Sequence, residues 1–392
     1  MAKLRFLTAG ESHGMGLTGI IEGIPSGVSL SVESINKELT RRQKGYGRGG
    51  RMKIESDEVE ILSGVRWGFT IGSPVTLRIA NRDWMNWERG MSNSRAEVGS
   101  IPPVVRPRPG HADLAGAIKY NHQDIRNVLE RSSARETAMR VALGTVARQF
   151  LASFGIRIGS FIVQIGSVRV AKPEGSVSLV ELALKAENSD VRCFDEAVSE
   201  KMKGLIDRAM EKGDSLGGVF EVFAIGLVPG LGSHIQWDTR LDGKLAQAVM
   251  SIQAIKAVEI GDGMALGGKF GSESMDEIFY KQEQNPPFYR NTNHAGGLEG
   301  GITNGMPLVV RAAMKPIPTL RRPLRSVNII TKEPIEAAYE RSDICAVPAA
   351  SVIGEAMVAL VLAQAYVEKF GGDSLKETLQ NYINYREHLK HF

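Results

Sequence analysis

The sequence is short of cysteine. Its 392 residues contain only two, Cys193 and Cys345, and neither belongs to a Cys-x-x-Cys pattern. Two isolated cysteines provide no disulfide framework and no recognisable zinc site. We therefore expect apolar packing to hold the interior together, and a hydrophobic content of 43% is enough for a normal globular core.

Long apolar runs are also missing. No uninterrupted apolar stretch reaches the ~18 residues that a membrane-spanning helix needs. The first residues show no charged segment followed by an apolar one, which is the pattern of a secretory leader. We therefore expect a cytoplasmic protein that does not associate with a membrane.

Aromatic residues and net charge are both low for a nucleic-acid-binding protein. Phe, Trp and Tyr make up 6% of the chain and the formal net charge is +4, whereas such proteins combine strong positive charge with aromatic stacking platforms. The positive residues are nevertheless concentrated between residues 37 and 51 and between residues 311 and 325. These clusters indicate an anionic partner, with a solvated basic surface as the alternative.

Familiar metal and nucleotide motifs are absent. The sequence has no His-Glu-x-x-His pattern. Residues 263–269 have the glycine and lysine spacing of a phosphate-binding P-loop, but Phe270 stands where Ser or Thr would bind magnesium. Metal-dependent catalysis is therefore not expected.

The apolar spacing predicts a mixed fold. It favours a long helical stretch over residues 124–154, a buried strand over 217–228, and helices over 241–258 and 350–370. Helices do not alternate with single strands as βαβ units require, so we expect an α+β fold rather than a doubly wound parallel sheet. No linker divides the chain, and residues 1–392 are expected to form one domain.

A histidine stands between glycines just after the first apolar segment. Residues 10–14 read Gly-Glu-Ser-His-Gly, and the glycines permit a sharp turn and a close ligand. The turn presents His13, the side-chain type that titrates near neutral pH. A solvent-facing histidine in an ordinary turn is the alternative.

Two further segments combine arginine with stiff or pliant backbone. Residues 46–51 read Tyr-Gly-Arg-Gly-Gly-Arg, and residues 106–113 read Arg-Pro-Arg-Pro-Gly-His-Ala-Asp. Arginine binds phosphate or carboxylate through paired N–H groups, and proline holds such groups in place at low entropic cost. Asp113 is expected to cap a helix that begins at Leu114. An RNA-binding Gly-Arg segment and a rigid connecting loop are the alternative interpretations.

Three more segments have the same polar character. Residues 130–137 read Glu-Arg-Ser-Ser-Ala-Arg-Glu-Thr, and the adjacent serines favour a helix break or a helix start at this point. A helix start beside two arginines would bind phosphate. Residues 315–319 read Lys-Pro-Ile-Pro-Thr, and residues 340–345 place a carboxylate beside an arginine. Such a carboxylate can act as a base or form a plain ion pair.

Taken together, residues 10–14, 130–137 and 341–343 resemble the signatures of the chorismate synthase family, in order and over essentially the whole chain. The resemblance implies a carbon–oxygen lyase of the shikimate pathway, which releases phosphate and the C6 proton from 5-enolpyruvylshikimate 3-phosphate by 1,4-anti-elimination. It implies reduced FMN as a cofactor that lends electron density and recovers it, although the reaction has no net redox change.

The resemblance also assigns roles to individual residues. His13 would protonate the departing phosphate, and His111 would lie beside the flavin and settle its protonation state. Asp343 would relay the proton acquired by the flavin, with Ser12 and Ser133 as hydrogen-bonding partners. The substrate-side cations implied by the family are Arg42, Arg48, Arg108, Arg135 and Arg341.

The flavin-binding positions implied by the family are Arg131, Ser132, Ser133, Gln253, Ala254, Gly300, Lys315, Pro316, Ile317, Pro318, Thr319 and Arg341. Arg42 and Arg48 also match positions that the family assigns to NADPH, so contact with substrate and contact with NADPH both stay open. NADPH is one source of reducing equivalents and a separate flavin reductase is another. The implied fold is a βαβ sandwich of two antiparallel four-stranded sheets flanked by helices, with internal pseudo-symmetry, assembled as a homotetramer.

Overall fold

The structure is a computed structural model that describes residues 4–48, 56–171, 177–284, 286–339 and 342–392. Its helices are α1 (Val32–Gln43), α2 (Asp113–Tyr120), α3 (Arg126–Ser132), α4 (Thr137–Ala152), α5 (Leu179–Glu187), α6 (Glu196–Glu211), α7 (Leu241–Met250), α8 (Gly271–Ser274), α9 (Val347–Phe370) and α10 (Leu375–His391).

The strands are β1 (Arg5–Ala9), β2 (Gly16–Glu22), β3 (Val59–Ser63), β4 (Val65–Arg66), β5 (Phe69–Thr70), β6 (Val75–Ala80), β7 (Arg157–Ile165), β8 (Val168–Arg169), β9 (Gly218–Ile225), β10 (Ile255–Ile260), β11 (Ile278–Tyr280), β12 (Phe288–Arg290), β13 (Leu298–Glu299), β14 (Ile302–Thr303), β15 (Leu308–Met314), β16 (Arg325–Val327) and β17 (Pro334–Glu336).

The first sheet is antiparallel, with strand order β1-β2-β6-β3. Apolar residues alternate along its strands, so one face is buried. Leu17 and Ile21 of β2 lie opposite Ile79 and Val75 of β6, and all four are buried. Strand β1 lies at the edge of this sheet, and the turn at residues 10–15 connects it to β2.

The second sheet is also antiparallel, with strand order β10-β15-β9-β7-β8. In β15, Val310 and Ala312 are buried and pair with Val222 and Phe220 of β9. Both of these sheets are antiparallel, but the second has five strands instead of the predicted four, because the short β8 folds back onto β7 in a hairpin. Among the described residues, eight further strands form four two-stranded sheets. The sandwich arrangement stays a prediction.

Two helices connect the sheets. α4 packs on the first sheet, α9 packs on the second, and the two helices contact each other. Their axes approach closely at Gly144, where a Cβ atom would lie 2.4 Å from the Cβ of Ala356. Glycine is therefore required at this crossing, and a larger side chain would push the helices apart.

The predicted helical stretches differ from the structure in two places. Residues 124–154 form α3 and α4 with an extended residue, Ser133, between them, so the break expected at the serine pair is confirmed. The helix predicted over residues 241–258 ends at Met250, and residues 255–260 form β10. Ala254 has a positive φ of 67°, which stops the helix, and the β-branched residues that follow favour a strand.

Helix α9 is, among the described residues, the one that is long and apolar enough to span a membrane, and 83% of its most apolar window is buried inside the protein. A buried central helix has the same composition as a membrane span. Glu355 interrupts the apolar sequence of α9 at its midpoint and is fully buried. In this structure, α9 is a core helix that packs on the second sheet.

Buried Glu355 is surrounded by arginines from three other elements. It accepts hydrogen bonds from Arg41 at 2.9 Å, Arg148 at 2.5 Å and Arg192 at 3.2 Å, and from the Ser160 hydroxyl at 2.6 Å. Burial alone would raise the pKa of Glu355, but the three guanidinium groups outweigh it and hold the pKa below the usual value. This ionic cluster ties α1 and α4 to α9.

The mixed helix-and-sheet class predicted from the sequence is confirmed. One hydrophobic cluster runs through both sheets and through helices α1, α4, α7 and α9. The single domain over residues 1–392 and the internal pseudo-symmetry stay predictions.

Candidate active site

A cavity of about 850 Å³ opens where α3, α4 and the start of α9 meet the loops at residues 10–15, 106–112 and 315–319. This volume suits a small-molecule or cofactor site. Most of the residues predicted from the sequence line this one cavity: Ser12, His13, Arg42, Arg48, Arg108, His111, Ser132, Ser133, Arg135, Gln253, Ala254, Lys315, Ile317, Pro318, Thr319 and Asp343.

The turn at residues 10–15 delivers His13 to the cavity. Gly10 has a φ of 103°, and a Cβ atom there would lie 2.3 Å from the carbonyl oxygen of Gly16, so this position requires glycine. Asn81 donates to the carbonyl oxygens of Glu11, at 3.0 Å, and Gly14, at 2.8 Å. These hydrogen bonds fix the conformation of the turn, because Asn81 directly follows strand β6 of the first sheet.

Helix α3 fixes the His13 side chain. The His13 Nδ1 atom lies 2.9 Å from Oε1 of Glu130, and the His13 backbone N–H donates to Oε2 of Glu130 at 2.8 Å. The Ser12 hydroxyl donates to the Ser133 hydroxyl at 3.1 Å. The His13 ring also contacts the Trp87 indole, with ring centroids 4.2 Å apart. His13 therefore faces the cavity from a turn that is bound on several sides.

Three guanidinium groups with little solvent exposure lie together on another wall. Arg135 donates to Asp57 at 2.5 Å, Arg42 lies 3.7 Å from Asp57, and Arg48 lies 3.1 Å from Asp343. The side chains of all three arginines are at most 10% exposed. A wall that presents several guanidinium groups suits an anionic ligand, because arginine binds phosphate and carboxylate through paired N–H groups.

The pKa of the Arg42 side chain reflects the closeness of these charges. Burial, with a smaller contribution from the neighbouring Arg48 and Arg135, lowers its pKa to about 10 against the opposing effect of Asp57. Its Nε and Nη2 atoms donate to Thr137 and to the carbonyl oxygen of Ala134, but its buried Nη1 has no hydrogen-bond partner among the described residues. A buried donor without an acceptor is costly, which favours a ligand acceptor at this position.

The second histidine belongs to a separate polar cluster. The buried Asp113 carboxylate accepts from Arg108 at 2.9 Å and contacts the Nδ1 atom of His111, and Arg108 also donates to Thr319 at 3.0 Å. Burial would raise the pKa of Asp113, but His111 and Arg108 hold it well below the usual range. The prediction that Asp113 caps a helix starting at Leu114 is wrong, because α2 starts at Asp113 and its carboxylate turns back to these residues.

The remaining wall is apolar with a few polar groups. Ile252, Met314 and Ile317 line it together with Gln253, whose buried Oε1 atom has no hydrogen-bond partner among the described residues. The Nζ atom of Lys315 donates to the carbonyl oxygen of Gly110, which closes the gap between the loops. This combination of flat apolar surface, one cation and an open acceptor suits a planar polar ligand.

Three predicted positions do not line the cavity, and a fourth lies outside the described residues. Arg131 points away and donates to the carbonyl oxygens of Thr8, at 2.7 Å, and Gly10, at 3.1 Å. Gly300 lies in the turn between β13 and β14, and Pro316 sits between two residues that do line the wall. Arg341 lies outside the described residues. Their flavin-binding and substrate-binding roles stay predictions.

Several residues of the site were not singled out from the sequence. They are Asp57, Asp83, Trp87, Arg126 and Glu130, which pair with or pack against the predicted residues. Glu130 had a usable signal, because it opens the segment 130–137 that was noticed for its arginines. The others come from loops and helices whose proximity depends on the tertiary fold.

Comparison with known proteins identifies the family of this chain. Residues 4–367 match the family model described as chorismate synthase. The chain is 58% identical to the chorismate synthase of Aquifex aeolicus over 99% of both chains, and 58% identical to that of Geobacter sulfurreducens over 99% of this chain and 100% of the other. A crystal structure of chorismate synthase superposes with a TM-score of 0.81 at 48% identity, covering 100% of each chain. The chain therefore belongs to the chorismate synthase family of enzymes.

Proposed function

We propose that the cavity binds 5-enolpyruvylshikimate 3-phosphate and converts it to chorismate by 1,4-anti-elimination of phosphate, the final step of the shikimate pathway towards the aromatic amino acids. The observation that supports this most directly is the cluster of three largely buried guanidinium groups, those of Arg42, Arg48 and Arg135, on one wall of the cavity. The substrate carries a phosphate and two carboxylates, so its charge complements this wall. The family membership supports the same substrate.

Reduced FMN fits the residues of the opposite wall. Lys315 and the backbone of residues 317–319 would lie along the cofactor, and the buried Oε1 atom of Gln253 offers an acceptor for a ring N–H group. When bound, reduced FMN supplies electron density to the allylic system as phosphate leaves, and it is not consumed. His111, held by Asp113, would set the protonation of the flavin environment.

His13 is the proposed proton donor to the departing phosphate. Its Nδ1 atom is engaged by Glu130, so the proton would leave from Nε2 and the imidazolium would become a neutral imidazole. Ser12 and Ser133, joined by their hydroxyls at 3.1 Å, lie beside this path.

Asp343 is the proposed final acceptor for the C6 proton, which the cofactor, if held along Lys315 and residues 317–319, would be placed to relay. Its carboxylate lies 3.1 Å from the Arg48 guanidinium and is about one-fifth exposed. A carboxylate in the cavity wall with partial access to solvent can accept a proton and pass it on. Arg48 then serves two purposes, as it positions the Asp343 carboxylate and adds to the positive charge that faces the substrate.

Asp343→Asn is expected to slow the proton-transfer phase of the reaction by ~10²-fold, the lower end of general acid–base contributions. Substrate and FMN affinities should change little, because Arg42 and Arg135 are untouched. Stopped-flow absorbance under anaerobic conditions would follow the decay of the flavin transient. A decay rate equal to that of the unmodified protein would remove Asp343 from the relay.

The assembly and cellular context are also part of the proposal. We propose a homotetramer in the cytoplasm, with the two sheets and their helices forming a βαβ sandwich with internal pseudo-symmetry. The reducing equivalents would come from a separate flavin reductase or from NADPH used by this chain. Arg42 and Arg48 are assigned to the substrate, since both face the same cavity as Arg135.

The competing activity of a flavin oxidoreductase is distinguished by a simple comparison. The purified protein would be given NADPH and FMN with and without 5-enolpyruvylshikimate 3-phosphate, and NADPH oxidation and chorismate would both be measured. The proposal expects chorismate only when the ester and reduced FMN are present. Steady NADPH oxidation that is independent of the ester, with no chorismate formed, would favour the oxidoreductase instead.

A further inference from the structure

Glu130 contacts the turn at residues 10–15 through its side chain and also through its backbone. Its two carboxylate oxygens take the backbone N–H and the ring Nδ1 atom of His13, at 2.8 and 2.9 Å, and its carbonyl oxygen accepts from the backbone N–H of Ser12 at 2.9 Å. These groups are 117 residues apart in sequence, and the Glu130 side chain is only 3% exposed. The contact between Glu130 and His13 is therefore a buried part of the cavity wall that the tertiary fold creates.

The opposite side of the His13 ring is equally defined. The Trp87 indole lies against the ring at a centroid distance of 4.2 Å, and the Trp87 N–H donates to Asp83 at 3.1 Å. The Arg126 guanidinium lies over the other part of the indole, 4.9 Å from its centroid. One side of the ring therefore contacts an indole and Nδ1 contacts a carboxylate, so Nε2 is the nitrogen that we consider for contact with a ligand.

We propose that Glu130 is the positioning residue of His13: it fixes the imidazole so that Nδ1 carries a proton and Nε2 is directed to the substrate. The inference rests on the proposed role of His13 as proton donor. A buried carboxylate that orients a histidine in this way is a general device of acid–base catalysis. Glu130 itself passes no proton to the substrate.

Other charged groups near the ring do not replace Glu130. Arg126 lies 3.9 Å from Oε1 of Glu130 and partly offsets its charge. Asp83 accepts from the indole N–H of Trp87 and from the Asn86 side-chain amide. Glu11, on the same turn as His13, is exposed. The Glu130 carboxylate contacts the imidazole directly, with its Oε1 atom 2.9 Å from Nδ1 of His13.

The kinetic test uses Glu130→Gln, which keeps the shape and removes the charge. We expect the single-turnover rate to fall ~10–100-fold, with the KM for the ester changed less than about twofold. In a His13→Ala background the same substitution should cost almost nothing further, because Glu130 would act only through His13. An equal loss in both backgrounds would overturn the proposal.

A second measurement does not depend on the reaction. In protein labelled with ¹⁵N-histidine, the ring nitrogens of His13 report which of them is protonated in the neutral form. We expect Nδ1 to be protonated in the unmodified protein, and a mixture of both tautomers in Glu130→Gln. A protonated Nε2 in the unmodified protein would overturn the proposal, even if chorismate is formed. The expected tautomers without chorismate would overturn only the proposed function.

A matched control separates positioning from simple loss of a buried carboxylate. Glu221 is buried on the second sheet, where it pairs with Arg311 at 2.8 Å, and it does not line the cavity. Glu221→Gln should leave the single-turnover rate and the His13 tautomer unchanged. Circular dichroism of all variants would confirm that each is folded. A Glu221→Gln variant as slow as Glu130→Gln would show that the loss is structural, and would overturn the positioning role.

Discussion

His13→Ala is expected to lower turnover by ~10²–10⁴-fold, the range that a positioned general acid contributes. The departing phosphate would then leave without a proton from the protein, while the guanidinium wall and the Lys315 side of the cavity stay intact. FMN affinity should therefore be retained. Single-turnover chorismate formation measures the first effect, and fluorescence or calorimetric titration with FMN measures the second.

His122→Ala is the matched control for this variant. His122 packs on Tyr120 at a centroid distance of 6.1 Å, and it does not line the cavity. We expect it to turn over at the unmodified rate. If His13→Ala also retains its single-turnover rate, His13 has no part in the chemistry and the proton must come from another donor.

The second large effect is on stability. Glu355→Gln is expected to lower the free energy of unfolding by about 3–5 kcal/mol, the usual cost of breaking a buried ion pair. Glutamine fills the same space, so packing is preserved. The guanidiniums of Arg41, Arg148 and Arg192 lose the buried carboxylate that all three share and retain their pairs with Glu38 and Glu187. Urea unfolding followed by circular dichroism would measure the change.

The surface pair between Glu60 and Arg78 is the comparison. Its atoms lie 3.1 Å apart but both side chains are well exposed, so Glu60→Gln should change the free energy of unfolding by less than about 1 kcal/mol. An equally small effect for Glu355→Gln would mean that the buried cluster is replaceable, in contradiction to the role assigned to it.

The same cluster predicts how stability depends on pH. Because the folded pKa of Glu355 is held below its unfolded value, its contribution is fully present above the unfolded pKa of ~4.3. It is lost progressively as the pH falls below that value towards the folded pKa. The difference in unfolding free energy between Glu355→Gln and the unmodified protein should therefore be largest near neutral pH and shrink under acid conditions.

The sequence was most informative where chemistry and backbone restriction coincide. The Gly-Glu-Ser-His-Gly turn, the serine break at residues 132–133 and the Lys-Pro-Ile-Pro-Thr loop all lie at the cavity as expected. In each, glycine, serine or proline limits the local backbone, so the position of the polar group follows from its neighbours. Contacts with distant parts of the chain therefore change the positions of these polar groups little.

The sequence was less informative where distant elements decide the structure. Residues 255–258 match a helical apolar pattern, yet they form β10 because the strand pairs with β15 across the second sheet. Asp113 resembles a helix cap, but Arg108 and His111 compete successfully for its carboxylate. The partnership of Glu130 with His13 spans 117 residues, and no local pattern in a single sequence reports such a distance.

The central claim is that this cavity eliminates phosphate without consuming its flavin, and one anaerobic measurement tests it directly. The purified protein would be mixed with dithionite-reduced FMN and an excess of 5-enolpyruvylshikimate 3-phosphate, while chorismate, phosphate and the flavin spectrum are followed together. The account predicts equal amounts of chorismate and phosphate, many turnovers per flavin, and a flavin that remains reduced. Flavin oxidised in step with product, or a bound ester that releases no phosphate, would contradict it.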